Sequence, residues 1–245
     1  MPDWWENKEK DREKRRAGLQ TLKLKPIVDA KNNPVTEDAK IARIRFLTDI
    51  KDAKSCWVHG VLKQSRLGKR FNEDVYCFFM NDDVKCKWCS DGDFPKRKLY
   101  FWIYCFDILH IRQDQGKKWE KIEYMGDKYF SEPVNDIRLF VTGVGKSSST
   151  EDKFIRAGKR FKTLCDRNYD WTREGLGLDT SYDLVYDTEA SEELSEVKKA
   201  RENLPSSLDD IINKMKPESE NEARPDNKID DAPEELVDED LEDLF

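Results

Sequence analysis

His59, Cys77, Cys86 and Cys89 are the residues of this chain whose types and spacing could do chemistry together. Cys86 and Cys89 form a Cys-x-x-Cys pair, a separation that lets two thiolates of one tight turn reach the same metal ion. With a histidine and a third cysteine upstream, the set reads as a tetrahedral Cys₃His site for one structural Zn²⁺. A second arrangement stays open at this level, because Cys56 and His59 form a Cys-x-x-His pair and Cys56 could stand in for Cys77. Without a metal, the same residues would be a buried Cys77 and a surface Cys-x-x-Cys. A redox Cys-x-x-Cys belongs beside a βαβ pattern, whereas the neighbouring segments here are short, aromatic and strand-like. A catalytic zinc keeps one coordination position for water, and four protein ligands leave none.

The elements that must position these residues are mostly strands. Residues 42–48 alternate, with Ile44 and Phe46 on one face and Arg43, Arg45 and Leu47 on the other, as in a half-buried strand. Further strands are expected over 22–28, 55–62 (carrying His59), 75–80 (carrying Cys77), 99–109, 118–124 and 137–144. The 99–109 stretch is the most apolar, and its aromatics and Ile103 favour strand over helix. Residues 169–186 read as a hairpin of two aromatic strands around a Gly-rich turn. Helices are expected over 4–22, 150–164, 191–201 and 208–215, the last two punctuated by Pro205 and Pro217. Gly145-Lys146-Ser147 invites a phosphate-loop reading, but Phe140 stands where the Walker pattern needs its first glycine.

Basic and aromatic residues interleave along this framework. Lys and Arg on a groove follow phosphates and release counterions, and exposed rings stack on unpaired bases with little regard to base identity. The candidates are Lys63, Arg66, Lys69 and Arg70 around Gly68, Lys87 and Trp88 in the knuckle, Lys96, Arg97, Lys98, Tyr100 and Trp102 at the apolar strand, and Lys118 with Trp119. Together with the short strands they suggest a small β-barrel that binds single-stranded nucleic acid. Any one of these rings could instead belong to the core, since aromatic side chains bury large areas.

Composition bounds the rest. Of 245 residues, 37% are hydrophobic and 39% charged, so much of the chain lies outside a packed core. The net charge of −7 divides unevenly: residues 188–245 hold 20 acids and 7 bases, for −13, and the remainder carries +6. The final sixteen residues hold nine acids and no base, including Asp238, Glu239, Asp240, Leu241, Glu242, Asp243, Leu244 and Phe245, a segment suited to recruiting partners. Six cysteines with no secretory leader point to metal binding in a cytoplasmic setting rather than disulfides. The longest apolar run is too short to span a membrane. No enzyme constellation is visible. The expected organisation is a charged arm over 1–24, a core over 25–187 with a zinc subdomain at about 56–95, a helical linker over 188–217 and a disordered acidic tail over 218–245.

These features resemble the zinc-containing single-stranded-DNA-binding proteins of tailed bacteriophages, with the helix-destabilising protein of the T-even phages as the best-known type. The resemblance lies in Ala42-Arg-Ile-Arg-Phe-Leu-Thr-Asp49, the order His59, Cys77, Cys86, Cys89, the Trp171-Thr-Arg-Glu-Gly-Leu-Gly177 segment, and the acidic C-terminus ending in Phe245. It implies an OB-fold barrel with a zinc-bearing subdomain and no catalytic activity. It also implies coating of single strands during DNA replication, recombination and repair, in the host cell cytoplasm if phage-encoded. The tail would recruit replication and recombination proteins, and the arm at Arg12 to Arg16 would support self-association along DNA. The arm here alternates acids and bases, unlike the basic arm of that family. A different class fits the same residues: a zinc-ribbon protein–protein adaptor or transcription accessory factor.

Overall fold

A computed structural model of the chain describes residues 20–25, 27–28, 34–36, 38–64, 70–113, 116–144, 149–176 and 179–217. Residues 1–19 of the expected arm, the acidic tail and Gly145-Lys146-Ser147 lie outside the described residues; the end of the arm is not free of the core, since the Leu22 amide donates to the Leu139 carbonyl and Leu24 is buried.

The fold is a mainly antiparallel β-sheet with a few helices. β1 (Ile27–Val28) and β2 (Pro34–Thr36) make a small ribbon of their own. β3 (Ala39–Phe46), β4 (Lys54–Gln64), β5 (Arg70–Tyr76), β6 (Lys96–His110), β7 (Glu120–Tyr124), β8 (Asp127–Val144), β9 (Asn168–Glu174) and β10 (Ser181–Tyr186) form one eight-stranded sheet. Five helices lie among the described residues: α1 (Phe78–Asp82), α2 (Lys87–Ser90), α3 (Ser149–Phe161), α4 (Ser195–Glu202) and α5 (Leu208–Lys214).

β6 is the spine. Its fifteen residues pair with β8 along one edge, while β3 and β4 follow one another along the other. Thr48 bridges the step between β3 and β4: the Trp102 amide donates to its hydroxyl at 3.1 Å, and the Thr48 amide donates to the Trp102 carbonyl. β8 runs longer than the sequence suggests. Its first half contains Pro133, opposite Asp107 where the register of β6 slips, and proline is tolerated in a sheet at such an irregularity. The β7–β8 hairpin turns at Met125 and Gly126, both with positive φ, as the favoured two-residue hairpin turn requires.

Period-2 alternation sends the aromatic residues of β6 to both faces. Phe101, Ile103 and Cys105 enter a core with Ala42, Ile44 and Phe46. There Phe46 meets Phe101, Phe140, Phe154 and Tyr169 edge-on at 5.0–6.0 Å. Tyr100, Trp102 and Tyr104 face the other way, under Val197 and Ala200 of α4 and Leu208 and Ile211 of α5. The segment expected as a helical linker is therefore packed on the sheet. Buried Arg45 ties it down, donating to the carbonyls of Cys165, Ser191 and Glu192 at 3.0–3.1 Å.

The closed barrel expected from the sequence is not formed by these ladders: among the described residues no pairing joins β5 or β10 to β7 or β8. The sheet instead curls until Phe140 of β8 meets Trp171 of β9 at 4.9 Å. Helix α3 packs against both β8 and β10, and its Phe154 and Ala157 fill the space where further strands would have to close. At the turn between β9 and β10, Gly175 has φ +80° and a Cβ there would sit 2.4 Å from the Asp179 carbonyl oxygen. No helix among the described residues is long and apolar enough to cross a membrane.

Candidate metal centre and the surface around it

His59 sits on the part of β4 that runs beyond β6 and pairs only with β5, opposite Val75. Cys77 follows β5 directly and caps α1, its thiol accepting from the Met80 amide at 3.5 Å. Cys86 caps α2, which carries Cys89. The ligand atoms of His59, Cys77, Cys86 and Cys89 all lie within 4.8 Å of one another. The edges are informative. Cys77 Sγ to Cys89 Sγ is 3.5 Å, and the His59 Nε2 atom lies 3.4 Å from Cys86 Sγ and 3.6 Å from Cys89 Sγ. A tetrahedron with zinc-like bond lengths has S–S edges of about 3.8 Å and S–N edges of about 3.5 Å. One metal ion fits between these four groups.

Cys56 is not among them. It lies three residues before His59 on one strand, an odd separation that sends the two side chains to opposite faces. Cys56 is buried in the core with Tyr100, while His59 faces the cluster. Burial holds the Cys56 thiol up at about 11, as expected for an inert core cysteine. In the cluster, burial and the neighbouring Cys77 thiol push Cys89 up to about 12. Burial also pushes Cys86 upward, but hydrogen bonds from the Cys89 and Trp88 backbone outweigh it and leave that thiol below its ordinary value.

Two residues that sequence reasoning passed over hold the cluster in place. Asp93 lies 3.1 Å from His59 Nδ1 and so orients Nε2 toward the thiols. Such a carboxylate–histidine contact is the usual outer support of a metal ligand. Asn81 clamps the lobe to the sheet: its amide donates to the Trp57 and Cys77 carbonyls at 2.9 and 2.7 Å, and its carbonyl oxygen accepts from the Trp57 amide at 2.9 Å. An Asp two to four residues after a Cys-x-x-Cys is a visible signal; the Asn81 clamp has none.

The residues expected to contact nucleic acid divide into three groups. At the lobe, Lys87 and Lys96 are exposed, and Trp88 is half-buried and stacked on His59 with ring centroids 5.6 Å apart. Arg97 is half-buried and donates to Ser55 Oγ, and Lys98 is engaged by Asp74 at 2.6 and 2.8 Å. Tyr100 and Trp102 correct the expectation, being 0% and 2% exposed. The Trp102 indole donates to the Ser206 carbonyl at 3.0 Å, so both rings are core under α4 and α5 and present no face to a base. Lys118 is exposed and Trp119 stacks on His110 at 4.2 Å, at the opposite end of β6. Fourteen residue steps of strand separate Lys96 from His110, roughly 45 Å. Arg66 and Lys69 lie outside the described residues, as do the side chains of Lys63 and Arg70, and so do Asp238 to Phe245.

No family model, no curated protein and no solved structure matches the chain.

Proposed function

We propose that the protein binds single-stranded DNA without strong sequence preference, as a zinc-containing coating protein acting in replication, recombination and repair. The observation that carries this reading is the surface of the metal lobe. Phe94 is 86% exposed, Trp88 is held half-buried against His59, and Lys85, Lys87, Lys96 and Arg97 lie within three residues of one or the other in the chain. Rings fixed on a rigid lobe can stack on unpaired bases at little further entropy cost, and the cations between them can follow the phosphates. Zn²⁺ is the ion we assign to the cluster, because three thiolates and an imidazole at tetrahedral edges suit it best. In this reading the curled sheet is the OB-type element, with α3 standing where strands would close it, and the acidic tail recruits partner proteins.

The test is a tryptophan fluorescence titration of the zinc-loaded protein with poly(dT) and with duplex DNA at two salt concentrations. Salt-weakened quenching by poly(dT), nearly absent with duplex, is the expected result. Equal response to both polymers, or none to either, would overturn the reading. A protein–protein adaptor is the second reading, favoured by Phe79, Met80 and Val84, which are 42–51% exposed on the same lobe. It predicts no response to poly(dT).

A further inference from the structure

A cleft of about 410 Å³ opens on the sheet at the end of β6 away from the metal lobe. It is lined by Arg43 on β3, Asp170 on β9 and Val185 on β10, which belong to one row of directly paired residues that continues to Asp107 on β6 behind Arg43. The tip of the β7–β8 hairpin arches over this row, and the Tyr124 hydroxyl donates to Asp170 Oδ2 at 2.7 Å. Phe106 and Leu194 add apolar wall, and Asn168 and Asp187 bring further polar groups. The size falls within the ~300–1,000 Å³ of small-ligand sites, which are mostly apolar with a few placed polar groups. Three of its lining side chains are exposed hydrophobics, Met125 at 66%, Leu194 at 47% and Val185 at 39%.

The polar groups are unequal in kind. Arg43, the one cation among the described residues lining the cleft, is already engaged through Nε and a second guanidinium nitrogen by both carboxylate oxygens of Asp107. The acceptors among the other lining groups are the Asp170 and Asp187 carboxylates and the Asn168 amide oxygen, beside the Tyr169 and Tyr186 hydroxyls and the Asn168 amide nitrogen, which can donate. The Asn168 Oδ1 atom is buried with no hydrogen-bond partner among the described residues. Asp170 has the single tyrosine donor on Oδ2, and burial pushes its carboxyl above the usual range, although that hydrogen bond and Arg43 oppose the shift. Asp187 stands at the mouth. A ligand for this cleft is flat enough to lie against Phe106 and Tyr124 and rich in N–H donors. A phosphate is excluded by the carboxylates. No group of three His, Cys, Asp or Glu ligand atoms converges here; among the described residues only His59, Cys77, Cys86 and Cys89 form such a group.

We infer that this cleft takes a single unpaired nucleobase with a donor-rich edge, guanine before all others. Guanine presents N1–H and an amino group side by side, a pairing that a carboxylate accepts in bidentate fashion, while thymine presents one N–H between two carbonyl oxygens. The inference rests on the single-stranded-DNA reading and gives it a modest base preference: one base per protein molecule is read here, and the others are held by charge and stacking. Phe106 and Lys96 lie on the same face of β6 ten residues apart, roughly 33 Å along the strand, a separation one bound oligonucleotide can bridge.

The test uses the zinc-loaded full chain and two probes without phosphate, deoxyguanosine and thymidine, followed by amide chemical shifts of residues 168–187. Deoxyguanosine should bind at least about tenfold more tightly than thymidine, the scale of one good bidentate base contact. Val185→Trp, at an exposed strand position lining the cleft, should abolish deoxyguanosine binding. Asp170→Asn should remove the preference for deoxyguanosine. Equal binding of the two nucleosides, binding of neither, or deoxyguanosine binding that survives Val185→Trp would overturn the inference. If poly(dT) still quenches in that case, the DNA reading stands without the cleft. Deoxyguanosine binding with no response to poly(dT) would keep the cleft and remove the DNA reading.

Discussion

The two ends of β6 are held by different forces. From Phe101 onward, the strand rests on a dense aromatic core: Phe46, Phe101 and Phe154 are fully buried, and Phe46 meets the other two rings edge-on. Toward Lys96, the lobe has almost no core of its own. Helices α1 and α2 span five and four residues and bury no helical residue, and Phe79 and Phe94 point to solvent. What converges there is His59, Cys77, Cys86 and Cys89. A segment this small excludes little apolar surface, so an ion held by these four residues would supply much of the free energy that orders it. The difference teaches which part of the molecule would depend on a metal ion and which would not.

The largest effect is expected in the aromatic core. Phe46→Ala removes a ring shared by four neighbours and should cost about 3–5 kcal/mol of global stability. Thermal unfolding with zinc in excess checks it; a loss that extra zinc restored would mean the two ends are not separate. Next comes the lobe itself. Cys86→Ser, or chelation of the wild type, should disorder α1 and α2 and release Trp88 from His59, while the amides of β3, β6 and β9 keep their protection from hydrogen exchange. Simultaneous loss of protection in both regions would contradict the division.

A smaller effect is expected one step out from the ion. Asp93→Ala should weaken metal affinity about 10–100-fold, as for other carboxylates that orient a ligating histidine. A competition titration against a chromophoric chelator measures it, and Asp93→Glu should recover part of the loss. The smallest effect belongs to the far end. Burial raises the Asp170 carboxyl, so the folded state holds its proton to higher pH than the unfolded chain does. Its contribution is therefore most favourable at acid pH and is lost as pH rises through the raised value. Asp170→Asn should flatten the pH dependence of melting just above the usual carboxylate range; an unchanged slope there would remove Asp170 as its source.

Much of this was legible in the sequence, for identifiable reasons. Alternation marked β3, and an uninterrupted apolar run marked β6, because a strand buried on both faces has no polar side to show. The ligand spacing marked the metal cluster. Cys56 could have been set aside at that stage, since an odd separation on one strand cannot bring its thiol to the side of His59. The strand expected over 75–80 lies earlier, at Arg70–Tyr76, because Cys77 ends the ladder and caps α1. Tyr100 and Trp102 were misread as stacking platforms for a different reason. The lid over them comes from Val197 to Ile211, about a hundred residues away in the chain, and no local pattern announces it. The same holds for the cleft, whose row of Asp107, Arg43, Asp170 and Val185 exists only once four strands are in register.

The central claim is that a metal-held lobe, rather than the sheet core, carries the DNA-binding surface. It is tested most directly by measuring poly(dT) affinity before and after removal of zinc, with core folding followed in the same samples. Affinity should fall at least tenfold while the core stays folded, and return when zinc is restored. Unchanged affinity in the zinc-free protein with its lobe disordered would contradict the account and move the DNA-binding surface elsewhere on the sheet.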